Sequence, residues 1–287
     1  GHFSEATAVN NRDQAVGWSD TAAGPTHPFL WSHGVLTDLG VLERGSGEYG
    51  VALDVNEAGQ VVGGSDVAHG TAMHAFLWRR GVMTDLGTLG GSFSVATAIN
   101  NRGQVVGYSA NRSGAWHGFL WERGTMTDLG VDNARGINDR GQVVGGTSFG
   151  TGFHAYLWQR GHVTDLGVLS GNYSEAYAVN NRGWVAGNGA SPTGFVNAFL
   201  WRHGVMTRLL TRPGGSYSEA RAINELGQVL GVGENLRPVI WQNGTAVDLT
   251  TRGIAADSTV RDINNRRHIA GTRIIRPGLE YHATLYA

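Results

Sequence analysis

A short pattern recurs seven times along the chain, at intervals of roughly forty residues, and this repeat limits the fold more than any other feature. The clearest copy runs from Gly90 to Gly130 and reads GGSFSVATAINNRGQVVGYS, a variable loop, and WHGFLWERGTMTDLG. An Ile-Asn or Val-Asn pair sets the register of the seven copies at Asn10, Asn56, Asn100, Asn138, Asn180, Asn224 and Asn264. A repeat of this length buries its apolar faces only by packing against its neighbours, as in solenoids and propellers.

Each copy contains short segments with alternating apolar positions, which predict four β-strands. NNRGQ or NEAGQ separates the first two strands, and RRG, ERG or RHG separates the last two. Asn tolerates the left-handed region and Gly adopts positive φ, so both connections are tight hairpin turns. The second-to-third connection is longer and differs in every copy. The pattern predicts an all-β fold, a single seven-bladed β-propeller of four-stranded antiparallel blades.

We expect one domain over residues 1–287, with blades at about 1–42, 43–89, 90–131, 132–168, 169–210, 211–250 and 251–287. The seventh copy ends before its fourth strand, and the chain starts with GHFSEATAVN, the middle of a repeat. We therefore expect a three-stranded last blade, and a closing strand ahead of Gly1 in a full-length protein. The third-strand tryptophans are expected to fill the core between blades: Trp31, Trp78, Trp121, Trp158, Trp201 and Trp241.

Composition excludes several kinds of chemistry. All 22 basic residues are arginine, there is no cysteine, and the formal net charge is −1. Lysine Schiff bases, thiolate nucleophiles, disulfides and cysteine-ligated zinc are therefore excluded. A near-neutral chain also lacks the basic composition of a nucleic-acid-binding domain, and no apolar run predicts membrane insertion. We expect a monomer whose partner is a small molecule or a glycan.

The linked motifs HAFLW, MTDLG and AINxxGQVVG resemble the HAF-repeat family, over the whole chain. The resemblance implies a β-propeller and an extracellular or secreted location, with a cytoplasmic one left open. It implies no common enzymatic activity, so no catalytic motif is transferred. The strand order also looks like that of seven-bladed lyases, but fold alone does not imply function.

The second residue of the predicted inner strand departs most from the repeat. It is Thr7, Leu53 and Thr97 in the first three blades, and Arg135, Tyr177, Arg221 and Arg261 in the last four. Consecutive blades are neighbours around a narrow ring, so these side chains are expected to converge in a funnel at the top of the central channel. Arginine forks pair with two oxygens at once and suit a carboxylate or a phosphate. In the alternative role, each of these arginines makes a salt bridge or packs flat between blades.

Acidic and aromatic residues accompany this position. Asp54 and Asp262 stand where the other inner strands carry alanine or glycine, and are expected either to pair with Arg221 or Arg261 or to serve as a general base or ligand acceptor. Repeated Glu and aromatic residues precede the inner strands and suit a scaffolding role. Four of them flank the arginine-rich side and are candidates for ligand binding: Tyr173, Glu175, Tyr217 and Glu219.

The histidines of the HAF motif do not predict a metal site. They stand one to a blade on the third strand, too far apart for bonds of about 2.1 Å to one ion. Hydrogen bonds that hold a loop are the expected role of His27, His74, His117, His154 and His282, which Asn197 and Arg237 replace in blades 5 and 6. No motif for a metal, a phosphate loop or a serine nucleophile occurs, so no cofactor is predicted.

Three functions remain open. The first is binding of a small anionic or polar ligand, such as a carboxylate, a uronic-acid sugar or a natural-product-like molecule, in the top funnel. The second is a metal-free lyase or cyclase in the same funnel, with Asp54 or Asp262 as base, Tyr177 as acid and the arginines stabilising an enolate-like charge. The third is a protein-docking scaffold.

Overall fold

The computed structural model describes residues 3–43, 48–67, 71–191, 194–276 and 280–287. Within these ranges the chain forms β-strands and two short 3-10 helices, Glu234–Leu236 and Leu249–Arg252, and no α-helix. We call the strands of one repeat copy a unit. The alternation of apolar and polar residues predicted from the sequence is therefore realised as strands almost throughout the described chain.

The strands of units 1 to 3 are β1 (Ser4–Val9), β2 (Ala15–Asp20), β3 (Thr26–Ser32), β4 (Val35–Asp38), β5 (Gly50–Val55), β6 (Val61–Val67), β7 (Ala72–Arg79), β8 (Val82–Asp85), β9 (Gly90–Ile99), β10 (Val105–Asn111), β11 (Trp116–Glu122) and β12 (Thr125–Asp128). Units 4 and 5 comprise β13 (Gly136–Ile137), β14 (Val143–Phe149), β15 (Gly152–Gln159), β16 (His162–Asp165), β17 (Ser174–Val179), β18 (Val185–Ala190), β19 (Val196–Arg202) and β20 (Val205–Leu209). Units 6 and 7 comprise β21 (Glu219–Ile223), β22 (Val229–Val232), β23 (Pro238–Gln242), β24 (Thr245–Asp248), β25 (Thr259–Ile263), β26 (Ile269–Arg276) and β27 (Glu280–Tyr286).

Consecutive strands of every unit pair antiparallel in chain order, giving several four-stranded sheets. Unit 7 has three strands, as expected from the sequence. A parallel bridge between Met73 and Phe93 joins units 2 and 3 into one eight-stranded sheet. Similar bridges join Phe3 to Tyr281 and Phe153 to Tyr173. Each bridge links the beginning of a first strand, or the residue just before it, to the third strand of the preceding unit, so neighbouring units lie side by side in chain order.

The hairpin turns have the geometry that their residues favour. Between β3 and β4, His33 has φ 50° and Gly34 has φ 84°. Two consecutive residues with positive φ define the turn whose twist matches that of the flanking antiparallel strands. Both turns of a unit lie at one end of its strands, which we call the lower end. The opposite end, where the second strand connects to the third, is the upper end.

The core lies between neighbouring units. One cluster, for example, packs Val16 of unit 1 against Val61 and Phe76 of unit 2. The main filler differs from the sequence expectation. The aromatic residue two positions before the tryptophan is fully buried, as Phe76 is, whereas Trp78 is half-buried against the cluster edge. Trp241 is the exception at 1% exposure, because Val239 leaves room beside it and its indole N–H donates to the carbonyl of Leu210.

A ring of seven buried asparagines links all the units. The side-chain amide of Asn10 donates to the backbone carbonyl of Asn56 at 2.9 Å, and the same bond repeats from each unit to the next. Asn264 of unit 7 then donates to the carbonyl of Asn10 at 2.9 Å. Each Asn side-chain oxygen also accepts two backbone N–H groups of its own turn, as Asn100 does from Arg102 and Gln104. One side chain therefore both shapes the turn and joins adjacent units.

Replacing one ring residue is expected to destabilise the whole fold. Asn100→Ala removes the oxygen that accepts the N–H groups of Arg102 and Gln104, and the amide that donates to the carbonyl of Asn138 in the next unit. We expect the free energy of unfolding to fall by about 3 kcal/mol, since each buried unsatisfied group costs about 1–3 kcal/mol. Urea denaturation measures this loss. The neighbouring exposed residue gives the control: Asn101→Ala should cost less than about 1 kcal/mol. Equal losses for the two variants would contradict the role of the ring.

Candidate functional site

A cavity of about 540 Å³ opens at the upper end of the central channel. One residue from each unit lines it, always the position predicted to face the funnel: Thr7, Leu53, Thr97, Arg135, Tyr177, Arg221 and Arg261. Because all seven units contribute the same position, their first strands are the innermost. Among the predicted ligand-binding residues, Glu219 also lines the cavity. The lining residues do not include Tyr173, Tyr217 or Glu175.

A β-bulge turns these side chains towards the axis. Pairing between first and second strands skips Thr7, Leu53 and Tyr177 in their units. A bulge of this kind re-aims a side chain that a regular strand would place elsewhere. It also brings a carbonyl against the second strand, where a Cβ on Gly17 would lie 1.8 Å from the oxygen of Glu5. The glycine of the QVVG motif is therefore the sequence counterpart of the bulge.

Arg135, at the start of the arginine-rich side, is neutralised by Glu175 of the next unit. The Nε of Arg135 donates to Glu175 at 2.9 Å, and the hydroxyls of Tyr173 and Tyr177 donate to the other carboxylate oxygen at 3.2 and 3.0 Å. Burial alone would lower the pKa of Arg135, but Glu175 raises it above its usual value. Burial and the same carboxylate raise the pKa of Tyr177. The Glu175 carboxylate is therefore the common acceptor of one guanidinium and two phenol groups.

The other two cavity arginines also have acidic neighbours. Arg261 donates to Glu5, across the junction between units 7 and 1. Arg221 is 3.5 Å from Glu219, whose carboxylate also accepts a 2.6 Å hydrogen bond from Tyr217. Burial and this carboxylate raise the pKa of Tyr217 to about 12. The salt-bridge alternative considered from the sequence is therefore present at all three arginines.

Arg221 is the least satisfied of the three. Its ion pair is the longest, and its Nε is buried without a hydrogen-bond partner among the described residues. Burial and the nearby positive charge of Arg261 lower the pKa of its guanidinium. A buried donor of a charged group left unpaired is costly, so its retention calls for an explanation.

The two inner-strand aspartates are not among the residues that line the upper cavity. Asp54 accepts the backbone N–H groups of Val55 and, in the next unit, Ile99 at 2.8 and 2.7 Å. Asp262 does the same with Ile263 and Val9. The expected ion pairs of these aspartates with Arg221 and Arg261 do not form, because Glu219 and Glu5 take those partners. Each aspartate instead joins its own strand to the next unit.

The HAF histidines of units 1 to 4 pair with the aspartate of the fourth strand in their own unit, whereas the described part of unit 7 has no fourth strand to supply a partner for His282. The Nδ1 of His74, for example, lies 2.8 Å from Asp85, whose carboxylate also accepts the N–H of Gly87. Where the histidine is replaced, the partner still fits: Arg237 binds Asp248, and Asn197 contacts Arg208. Among the described residues, no group of three or more His, Asp or Glu side chains is arranged to hold a metal ion.

Two residues of the second strand line the cavity and were not predicted. Trp18 and Asn188 occupy the position after the QVVG glycine, where the other units carry Gly, Tyr, Val or Thr. Variation at this position is the sequence signal that could have identified them. Asn188 is also structural, since its side chain accepts the N–H of Ala220 at 2.7 Å. Two of the aromatic residues before the first strands stack on the preceding unit: Phe3 on Tyr281 at 5.9 Å and Tyr173 on Phe153 at 6.0 Å.

Comparisons with known proteins support the fold alone. No family model matches the chain, and no curated protein does. TolB from Acinetobacter baumannii is similar in structure at 11% identity and a TM-score of 0.53, over 78% of this chain and 59% of that one. A puromycin-hydrolyzing peptidase from Mycobacterium tuberculosis is similar at 12% identity and a TM-score of 0.64, over 98% of this chain and 50% of the peptidase.

The chain thus spans between half and three fifths of the length of these two proteins. The likeness indicates a propeller-like fold, in agreement with the all-β architecture and the four-stranded sheets. The resemblance to the HAF-repeat family stays a prediction. No helix in the described part of the chain has the length and apolar character needed to cross a membrane.

The buried aspartates predict a specific pH dependence. Burial raises the pKa of Asp54 to about 7, and the nearby Asp262 adds to this effect. Between about pH 4 and pH 7 the folded state therefore holds a proton that the unfolded state has lost, so the contribution of Asp54 to stability falls as the pH rises. Urea denaturation of wild type and Asp54→Asn at pH 4.5 and 7.5 tests this. The asparagine variant should gain on wild type at the higher pH, and a constant difference would contradict the shift.

Proposed function

We propose that residues 1–287 form one seven-bladed β-propeller that binds a small polar ligand with a carboxylate group, such as a uronic-acid sugar, in the upper cavity. A cavity of about 540 Å³ lies within the usual size range of small-molecule sites. Its lining combines aromatic surface at Trp18 and Tyr177 with charged donors and acceptors at Arg261 and Glu5. Mixed linings of this kind bury a ring and fix its polar groups.

The charge balance argues against a multiply charged anion. Three glutamates accompany the three arginines, and two of the pairs are close: Arg135 with Glu175 and Arg261 with Glu5. A phosphate would have to displace these carboxylates. Hydroxyl groups both donate and accept, so a polyol can bind beside a paired arginine and glutamate without breaking the pair.

One observation carries the carboxylate assignment. Arg221 has a long ion pair and an unpaired buried Nε in the cavity wall. Its acidic partner Glu219 also accepts a hydrogen bond from Tyr217. The Arg221 side chain is 25% exposed, and a ligand carboxylate would supply oxygen acceptors to the terminal nitrogens of the guanidinium, through charge-assisted hydrogen bonds.

Binding is favoured over the lyase or cyclase alternative. Asp54 and Asp262, the candidate bases, hold backbone N–H groups and are absent from the cavity lining. Tyr177, the candidate acid, has a raised pKa and donates its proton to Glu175 in a hydrogen bond. A phenol with a raised pKa is a weaker acid, which makes proton transfer to a leaving group harder.

Calorimetric titration tests the proposal with galacturonate and its neutral counterpart galactose. We expect wild type to bind galacturonate more tightly, and Arg221→Gln to lose about 10- to 100-fold in affinity for it, as befits a charged hydrogen bond worth about 1.5–3 kcal/mol. The variant should treat the two sugars alike. Glutamine keeps part of the side chain's packing, and a melting curve checks that the variant is folded.

The matched control is Arg212→Gln, which removes a positive charge outside the cavity lining; Arg212 is 69% exposed and pairs with Glu234. This control should bind galacturonate as wild type does. Equal affinity of wild type for the two sugars, or equal losses in both variants, would overturn the carboxylate site. If neither sugar produced heat on titration into wild type, the assignment would move to another ligand class.

A further inference from the structure

The lower end of the molecule carries an excess of positive charge that the net charge of the chain conceals. We define the lower face as the two turns of each unit: residues 10–14, 32–34, 56–60, 79–81, 100–104, 122–124, 138–142, 159–161, 180–184, 202–204, 224–228, 242–244 and 264–268. These turns hold eleven of the 22 arginines but five of the 23 acidic residues. The rest of the chain is correspondingly acidic.

The arginines of the lower face are exposed and mostly unpaired. All eleven are solvent-exposed: Arg12, Arg79, Arg80, Arg102, Arg123, Arg140, Arg160, Arg182, Arg202, Arg266 and Arg267. Among the described residues, Arg266 pairs with Asp13 and Arg123 lies 4.0 Å from Glu122, and the other nine have no ion pair. The cavity arginines of the upper end all have acidic partners. The two ends therefore differ in how their arginines are used.

The positive charges extend around most of the face. The asparagine ring holds the seven inner turns at one level, and side chains join inner and outer turns, as Gln228 does with Gln242 at 3.1 Å. In unit 5, Trp184 replaces the glutamine of this contact, and the guanidiniums of Arg182 and Arg202 lie 5.3 and 5.4 Å from its ring. Six of the seven units contribute arginine. A linear polyanion is usually tracked by a groove or a stripe, whereas a ring of charge over a flat end fits a planar anionic surface.

Apolar groups accompany the arginines at this end. Val35, Val82 and Val205 each follow the glycine of an outer turn and are 61–63% exposed, and Leu226 of an inner turn is 47% exposed. In unit 2 a cavity of about 640 Å³ is lined by Arg79, Arg80 and Val82 together with the turn at Gly59. Two unpaired guanidiniums beside an aliphatic side chain suit a phosphate joined to a hydrocarbon chain.

We propose that the lower face docks on the surface of a bilayer containing anionic phospholipids, with a headgroup in the cavity at Arg79 and Arg80. Clustered basic residues bind such surfaces electrostatically, and shallow apolar contacts add to this attraction. The molecule would lie on the membrane with its upper cavity facing away. The proposal does not depend on the ligand of that cavity.

Vesicle sedimentation tests the proposal. Vesicles of phosphatidylcholine with about one third phosphatidylserine should retain the wild-type protein at low salt, and pure phosphatidylcholine should not. High salt should release the protein, because exposed charges are screened. Arg79→Gln/Arg80→Gln should weaken binding about 25-fold, which corresponds to about fivefold for each arginine near the surface. A second lower-face pair, Arg140→Gln/Arg160→Gln, should weaken it similarly if the first variant folds poorly.

The control pair is Arg212→Gln/Arg237→Gln, which removes the same charge from the upper end, where both arginines are ion-paired. It should bind within about twofold of wild type. Equal loss in the upper and lower pairs would mean that only net charge matters and would overturn the docking face. Absence of vesicle binding by wild type would overturn it too. Binding to heparin or an oligonucleotide without binding to vesicles would assign the face to a chain polyanion instead.

Discussion

Every unit of this structure is attached to the next by the side-chain amide of one asparagine. The bond from Asn264 to Asn10 completes the circle, although unit 7 contains only three strands. Since each of these asparagines also accepts two N–H groups of its own turn, the side chain that sets the distance between adjacent units is itself held in place by the turn. Fixed inner turns in turn hold the first strands around one narrow channel.

The same first strand carries both the fixed and the variable part of the molecule. Its end is the asparagine ring, and its second residue stands at a bulge that faces the upper cavity. The opposing glycine is required, because the bulged carbonyl occupies the place of a Cβ at Gly17 and Gly231. The residue at the bulge has no such restriction and ranges from threonine to arginine. Binding chemistry can therefore vary without disturbing the packing between units.

Arginine, the chain's one basic residue type apart from histidine, has two roles at the two ends. In the upper cavity the glutamates Glu175 and Glu5 hold Arg135 and Arg261 in place, so the cavity is polar but nearly balanced in charge. At the lower face Arg79 and Arg80 have no acidic partner among the described residues and lie in water. Net charge near zero is thus the sum of a basic lower face and an acidic remainder of the chain, and composition alone concealed the basic part.

The repeat determined the strands, the tight turns and the seven equivalent positions that meet in the cavity, because each depends on contacts within about forty residues or on strict recurrence. Long-range packing decided the rest. Phe76 and not Trp78 became the buried filler, since the position nearer the middle of the strand lies deeper between units. Asp54 accepts the backbone N–H of Ile99 and pairs with no arginine, and the Nε of Arg221 is unpaired among the described residues. Which partner a charged side chain reaches is fixed by the neighbouring unit, and that geometry is absent from a single repeat.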